Sequence, residues 1–490
     1  MISYSVRSPG RRLGVVATSA VLVAVLVAGL AGCGVFTSGA ARLPGLADVH
    51  SCARSELGDI GADPPGVVPN VPVDIAFTCG SLDVPLDHGL LPGPKADGRL
   101  TLRVAVADNA DAPRGVLVWL VGGPGEPGVP LTADITSGFD PAVLRDYRLV
   151  FVSGRGTGEG ALRCPALQDG VGDSDFAVPP PGSIPACAEA IGENRRFFAT
   201  ADTVADLDLV RQALGVAKLS LDGASYGSFV AERYAITYPG RVSRLVLDSV
   251  VPHDGFDLLF VDGMARTAEV LRLVCREIAC TTDPAEDLSE LVRHRHDGVE
   301  LLDTISGLSS GKPDLNGVPA ALHSAVLGDP TALDALVAQA KKGAATSADH
   351  LSQGLHTTAI CQDMPGPWGE ANTPVAGRVA AAAVIAGRLP DAAFFPYDRD
   401  TALGNGQMVA CEQWPTTPIV PFPPGRDLPA VPVLVLAGDH DLNTPLADAM
   451  AEVARAPRGH LVIIPGSGHI TQDHANGAGG REAVRQFLTS

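Results

Sequence analysis

The stretch Lys218–Tyr238, KLSLDGASYGSFVAERYAITY, restricts the possible folds of this chain more than any other. A short apolar strand marked by Leu219 and Leu221 runs into Gly223-Ala224-Ser225-Tyr226-Gly227 and straight on into a helical segment. In so tight a strand-turn-helix, a side chain at either glycine would collide with the neighbouring strand or helix. The serine hydroxyl is left clear at the sheet edge with the first helical amides beside it, which makes Ser225 a candidate nucleophile. Gly307-Leu308-Ser309-Ser310-Gly311 has the same spacing, but no strand precedes it and Lys312-Pro313 and Asn316-Gly317 follow. Ser309 therefore reads as a loop serine.

The N-terminus reads as an address. Arg7, Arg11 and Arg12 precede an uncharged apolar run from Gly14 to Leu30, which ends in Leu30-Ala31-Gly32-Cys33. A run of this length could also serve as a membrane anchor. Its ending resembles the lipobox of bacterial lipoproteins, which implies cleavage before Cys33, lipidation of that cysteine, and a chain tethered outside the cytoplasmic membrane. Beyond Cys33, eight cysteines remain, an even number that reads as disulfides in an exported protein. The simplest, sequence-local pairing is Cys52 with Cys79, Cys164 with Cys187, Cys275 with Cys280, and Cys361 with Cys411. None has zinc-ligand spacing. A net charge of −19 argues against nucleic acid as a partner, since no basic stripe exists to meet phosphates.

Residues 34–50 look like a tether, and the Pro/Gly-rich stretch from Cys52 to Cys79 like an edge wrap. Strands are then expected at Leu100–Val106, Gly115–Val121 and Tyr147–Ser153. The second empties into Gly122-Gly123-Pro124-Gly125-Glu126-Pro127-Gly128, whose exposed amides suit an oxyanion hole. The third empties into Gly154-Arg155-Gly156-Thr157-Gly158. An amphipathic helix spans Ala201–Leu214, capped by Asp202 or Thr203 and stopped by Gly215. After the Ser225 turn comes a strand at Arg244–Asp248. Strands alternating with helices imply a parallel sheet covered on both faces. From His253 to Asp427 the pattern turns helical, with helices expected at 265–278, 285–293, 331–342 and 375–389. Strands return at Val431–Ala437 and His460–Ile464.

A serine hydroxyl is inert near neutral pH without a base in reach and a carboxylate to orient that base. Each candidate follows a strand: Ser225 the central one, Asp439 and Asp441 the next to last, and His469 and His474 the last. Gly468 gives the His469 ring room to turn inward, which favours it over His474. His440 and His460 read as ordinary surface residues.

GGPG after one strand, RGTG after the next, TADTVADLDLVRQALGV, GASYG, YPGRV with LVLDSVVP, CEQWP, GDHDLNTP and GSGH together resemble the prolyl and tripeptidyl aminopeptidase-like branch of the α/β-hydrolases. The likeness covers roughly residues 75–255 and 355–475. It implies an α/β-hydrolase fold with an inserted helical lid, no cofactor, and removal of residues from peptide N-termini. It also favours Asp441, three residues beyond Gly438, and implies oxyanion donation by the amides of Tyr226 and Gly123. A lid carboxylate would pair with the substrate ammonium, with Asp363 and Glu412 as the expected residues. Val121, Ser153, Gly160 and Glu126-Pro127 depart from the usual pattern of that branch.

The expected organisation is a leader at 1–32, a tether at 33–50, a first core part at 51–252, a lid at 253–428 and a second core part at 429–490. The expected function is a lipid-anchored serine aminopeptidase acting on peptide or small acyl substrates without metal. An esterase or amidase of the same fold, or a peptide-binding lipoprotein without catalysis, are the alternatives.

Overall fold

The computed structural model describes residue 43 and residues 45–59, 75–310, 313–422 and 425–490. The apolar leader, Cys33 and most of the tether lie outside the described residues. Nine strands form one sheet: β1 (Ala47–Ser51), β2 (Phe77–Pro85), β3 (Arg99–Ala107), β4 (Val116–Leu120), β5 (Arg148–Ser153), β6 (Leu219–Ala224), β7 (Val242–Asp248), β8 (Val433–Gly438) and β9 (Gly459–Ile464). Their order is β1-β2-β3-β5-β4-β6-β7-β8-β9. The first three pair antiparallel at one edge, and β3 meets β5 antiparallel. From β5 across to β9 every pairing is parallel. Strands β6 and β8 are buried along their whole length, the state that continuous apolar runs dictate when helices cover both faces.

Helices Thr200–Ala213 and Tyr226–Thr237 cross from β5 to β6 and from β6 to β7, and Leu446–Ala454 links β8 to β9. Between β7 and β8 the chain is helical, from Val261–Glu277 to Gly406–Gln413. All four expected cysteine pairs are disulfides.

Four local expectations are corrected. Residues 47–50 belong to the sheet and not to a tether, because Asp48 accepts a hydrogen bond from Ser81 and Leu43 and Leu46 are buried. The helix at Thr200 has no side-chain cap of its own; Asp202 is buried inside it, and the Thr200 amide donates to Asp363 at 2.9 Å. Ser309 is a fully buried helix end, not a loop residue, and its carbonyl accepts from the His469 amide at 3.1 Å. His440 is buried between Asp439 and Glu277, at 2.6 and 3.1 Å. Helix Gln353–Asp363 escaped the sequence reading for a physical reason: all but the last of its residues are buried, so it carries no amphipathic period.

The RGTG turn is held by its arginine. Arg155, 2% exposed, makes a bidentate pair with Asp206 at 2.7 Å through Nε and Nη2. It also donates to the carbonyls of Leu86 and Phe197. One guanidinium thereby ties the end of β5 to β2 and to the helix Thr200–Ala213. Arg155→Ala strands a buried carboxylate, so it should cost about 3–5 kcal/mol of stability in denaturant unfolding. Adding Asp206→Ala should recover part of that loss.

Candidate active site

At the end of β6 the backbone turns so sharply that Ser225 adopts φ 55° and ψ −126°. The flanking glycines permit it. A Cβ on Gly223 would lie 2.3 Å from the Gly227 carbonyl oxygen, and one on Gly227 would lie 2.0 Å from that of Leu120 in β4. Holding a non-glycine residue in this region costs about 1–3 kcal/mol. The turn is fastened by the Ser225 amide donating to Asp248 at 2.9 Å and by Ser228 Oγ donating to the Ser225 carbonyl at 2.6 Å.

Asp441 and His469 emerge from the loops after β8 and β9, and the structure joins them. His469 Nδ1 lies 3.0 and 3.2 Å from the two Asp441 oxygens. Asp441, 1% exposed, also accepts from the amides of Asn443 and Thr444 and from Thr444 Oγ1 at 2.9, 3.1 and 2.7 Å. Burial pushes its carboxyl up, but the His469 ring and the Thr444 donors outweigh that and hold it below the usual carboxylate range. Burial likewise pulls the His469 ring down, and Asp441 outweighs it and raises the ring above its ordinary value. Asp439 pairs with His440 and the Gly466 amide, and His474 meets Ser137 at 2.9 Å. No hydrogen bond closes between Ser225 Oγ and His469 in this structure, and Nε2 has no hydrogen-bond partner among the described residues. Such contacts often form only with substrate in place.

The loop 122–126 lies against the serine: a Cβ on Gly122 would lie 3.0 Å from Ser225 Cβ and 3.5 Å from its Oγ. Gly123 has φ +101°. The amides of Gly123 and Tyr226 meet no acceptor among the described residues, which leaves both able to donate to an oxyanion. Glu126, one of the residues that depart from the common pattern, turns its carboxylate back towards the Gly122 amide, and burial raises its pKa. Ser153, another, accepts from the Val129 amide at 3.1 Å.

Ser225 opens on a cleft of about 860 Å³. Asp175, Asp257, Asp262 and Asp448 line it, and among the described residues no Lys or Arg does. Burial together with Asp262, Asp441 and Glu452 raises Asp448 to about 7. Asp175 is raised by burial in the same way.

The two acids expected to meet the substrate do not line this cleft. Asp363 Oδ2 is occupied by the Thr200 amide, Thr200 Oγ1 and Tyr226 Oη, at 2.9, 2.8 and 3.0 Å. Glu412 lies half-buried on the helix Gly406–Gln413, outside the cleft lining. The neighbouring Cys361–Cys411 bridge does form, but it holds helix to helix and does not bring either acid into the lining of the Ser225 cleft.

Sequence reasoning also passed over Asp248. This buried residue ends β7 and accepts from the Thr471 and Gln472 amides, both at 3.0 Å, while Ser249 Oγ accepts from the Ile470 amide. It thereby fixes the loop that carries His469. The available signal was an acid closing an apolar strand next to the strand of the nucleophile.

Among the described residues, two groups have the composition of a metal site. In the first, His50, Glu56 and Cys79, the cysteine is already in a disulfide and offers no thiolate. In the second, Glu232, His253 and Glu452, His253 Nδ1 pairs with Glu452 at 2.6 Å while Arg455 faces Nε2 at 3.3 Å. Both ring nitrogens of His253 thus already have protein partners.

Residues 116–298 match the family described as alpha/beta hydrolase fold, and residues 398–490 match one described as TAP-like protein. The chain is 32% identical over 191 residues to the tripeptidyl aminopeptidase of Streptomyces lividans, covering 35% of each chain. It is 29% identical over 201 residues to Serine protease Hip1 of Mycobacterium tuberculosis, covering 37% of this chain and 38% of that one. It is 34% identical over 145 residues to the proline iminopeptidase of Neisseria gonorrhoeae, covering 29% and 35%. The chain thus spans only about a third of the length of the curated relatives it matches.

A base must be unprotonated to accept a proton, so activity should fall as pH drops through the raised pKa of His469. Asp441→Asn removes the charge that raises it. The acid limb of the kcat/KM profile should then move to lower pH, with kcat reduced by about 10⁴.

Proposed function

We propose that this α/β hydrolase is a serine aminopeptidase that releases residues from the free N-termini of short peptides. Ser225 attacks the scissile carbonyl while His469 takes its proton, and Asp441 keeps the imidazole in the right tautomer. The amides of Tyr226 and Gly123 receive the negative charge that develops on the carbonyl oxygen. His469 then returns the proton to the leaving amine, and water releases the acyl-enzyme by the same steps in reverse order.

The observation that carries the substrate class is the charge of the cleft. Four carboxylates surround a site that, among the described residues, no lysine or arginine lines. Packing them there is costly, as the raised Asp448 and Asp175 testify, unless a cation offsets it. An N-terminal ammonium is a cation that arrives with every free peptide. In this reading Asp175 and Asp448 take the place that the sequence suggested for Asp363 and Glu412. The peptidase names of the relatives point the same way. We further propose that the helical segment between β7 and β8 acts as the lid of the cleft, and that Cys33 carries a lipid which holds the enzyme at the outer face of the cell membrane. Four disulfides suit such an oxidising location.

Hydrolysis of an aminoacyl arylamide library should therefore require a free α-amine, N-acetylated analogues being at least about 100-fold poorer in kcat/KM, the loss expected when buried acids are left unpaired. Asp175→Asn and Asp448→Asn should raise KM for the free amines while leaving hydrolysis of an uncharged acyl ester within about twofold. Equal turnover of acetylated and free substrates would remove the aminopeptidase assignment and leave an esterase or amidase.

A further inference from the structure

The residues that hold the two halves of the oxyanion site converge on one helix. Gln353–Asp363 presents His356 and Asp363 seven residues apart, which places them on one face, two turns from each other. At its C-terminal end, Asp363 accepts from Tyr226 Oη at 3.0 Å and also from the amide and hydroxyl of Thr200. Tyr226 is the residue after Ser225, so its ring is a lever on the amide next to the nucleophile. At the N-terminal end, the Ser352 amide donates to the Gly125 carbonyl at 3.1 Å. A Cβ on Gly125 would lie 2.7 Å from the Ser352 oxygen, so the contact is backbone against backbone. The His356 ring faces the carbonyls of Gly123 and Pro124, although its buried Nδ1 closes no hydrogen bond to either, and its Nε2 lies 3.4 Å from Asp175.

The helix is itself clamped. Cys361 is bridged to Cys411, and Gln353 Nε2 donates to the Gly172 carbonyl at 2.9 Å. We infer that Gln353–Asp363 is the strut that sets the spacing of the two oxyanion donors, with Asp363 and His356 as its positioning residues. The inference rests on the reading of Ser225 as nucleophile. It gives the Asp363 carboxylate a role other than binding substrate, and it makes the helical segment between β7 and β8 part of the catalytic frame.

Misplaced donors weaken transition-state binding without touching ground-state binding. The test compares Asp363→Ala, Asp363→Asn, His356→Ala, His356→Gln and Tyr226→Phe in the full chain. Steady-state hydrolysis of an aminoacyl arylamide is measured together with inhibition by an aminoacyl boronate, which mimics the tetrahedral intermediate. Asp363→Ala and His356→Ala should lower kcat by about 10–100-fold with KM within about twofold, and weaken the boronate by the same factor as kcat/KM. Asp363→Asn, which keeps a hydrogen-bond acceptor, and His356→Gln, which keeps most of the bulk packed against the loop, should restore most of the loss. Tyr226→Phe keeps the ring and removes only the hydroxyl, so it reads the contact even if Asp363→Ala does not fold. Its effect should not add to that of Asp363→Ala, because both break one link.

A rise in KM at constant kcat would overturn the strut and return Asp363 to substrate binding. Unchanged boronate affinity in folded variants, or additive losses in the double variant, would also overturn it. A separate control distinguishes the underlying reading: if a fluorophosphonate fails to label the wild type at Ser225, the nucleophile assignment falls and the strut with it. Labelling with unaffected variants sinks the strut alone.

Discussion

The site depends on two backbones approaching more closely than any side chain allows. Gly227 leaves no room for a Cβ against the carbonyl of Leu120, and Gly223 leaves none against the helix that it precedes. Strand β4 and the helix Tyr226–Thr237 are thereby pressed together around Ser225, which is left in a left-handed conformation. The oxyanion loop follows β4 directly, so the contact that strains the serine also brings Gly122 beside it. The strain at Ser225 and the approach of the glycine loop to it share one steric cause.

Around this turn the protein accumulates buried and half-buried carboxylates, and they fall into two kinds. Asp248, Asp363 and Asp441 each accept two or more hydrogen bonds from amides or hydroxyls and act as fasteners. Asp248 fixes the loop of the base, Asp363 fixes the residue after the nucleophile, and Asp441 fixes the imidazole. Asp175 and Asp448 instead line the cleft, both carboxyls pushed up by burial and that of Asp448 also by like charges. The first kind fastens loops and side chains around Ser225, and the second gives the cleft its negative lining.

Much of this was legible in the chain itself. Buried parallel strands announce themselves as unbroken apolar runs, and so the alternation of strands and helices and the loops after β6, β8 and β9 could be placed from residue order. The four cysteine pairs followed from local spacing. The helical segment was harder to read. Gln353–Asp363 is buried on nearly all sides and lacks the period that reveals an amphipathic helix. The caps suggested for the helix at Thr200 failed because its true acceptor, Asp363, lies 163 residues away.

Sequence alone determined which chemistry the chain could carry: a serine between glycines, an acid and a histidine, each after its own strand, are local facts of spacing and residue type. Only the tertiary structure decided which carboxylates line the cleft beside Ser225. Asp363 and Glu412 looked suitable because a disulfide brings their neighbours together, yet the direction of a side chain depends on the partners that compete for it. Thr200 and Tyr226 claim Asp363, whereas Asp175 and Asp448, in segments far apart in the chain, line the cleft. Hydrogen bonding and burial across long separations have no signature in a linear string, and they fixed the outcome.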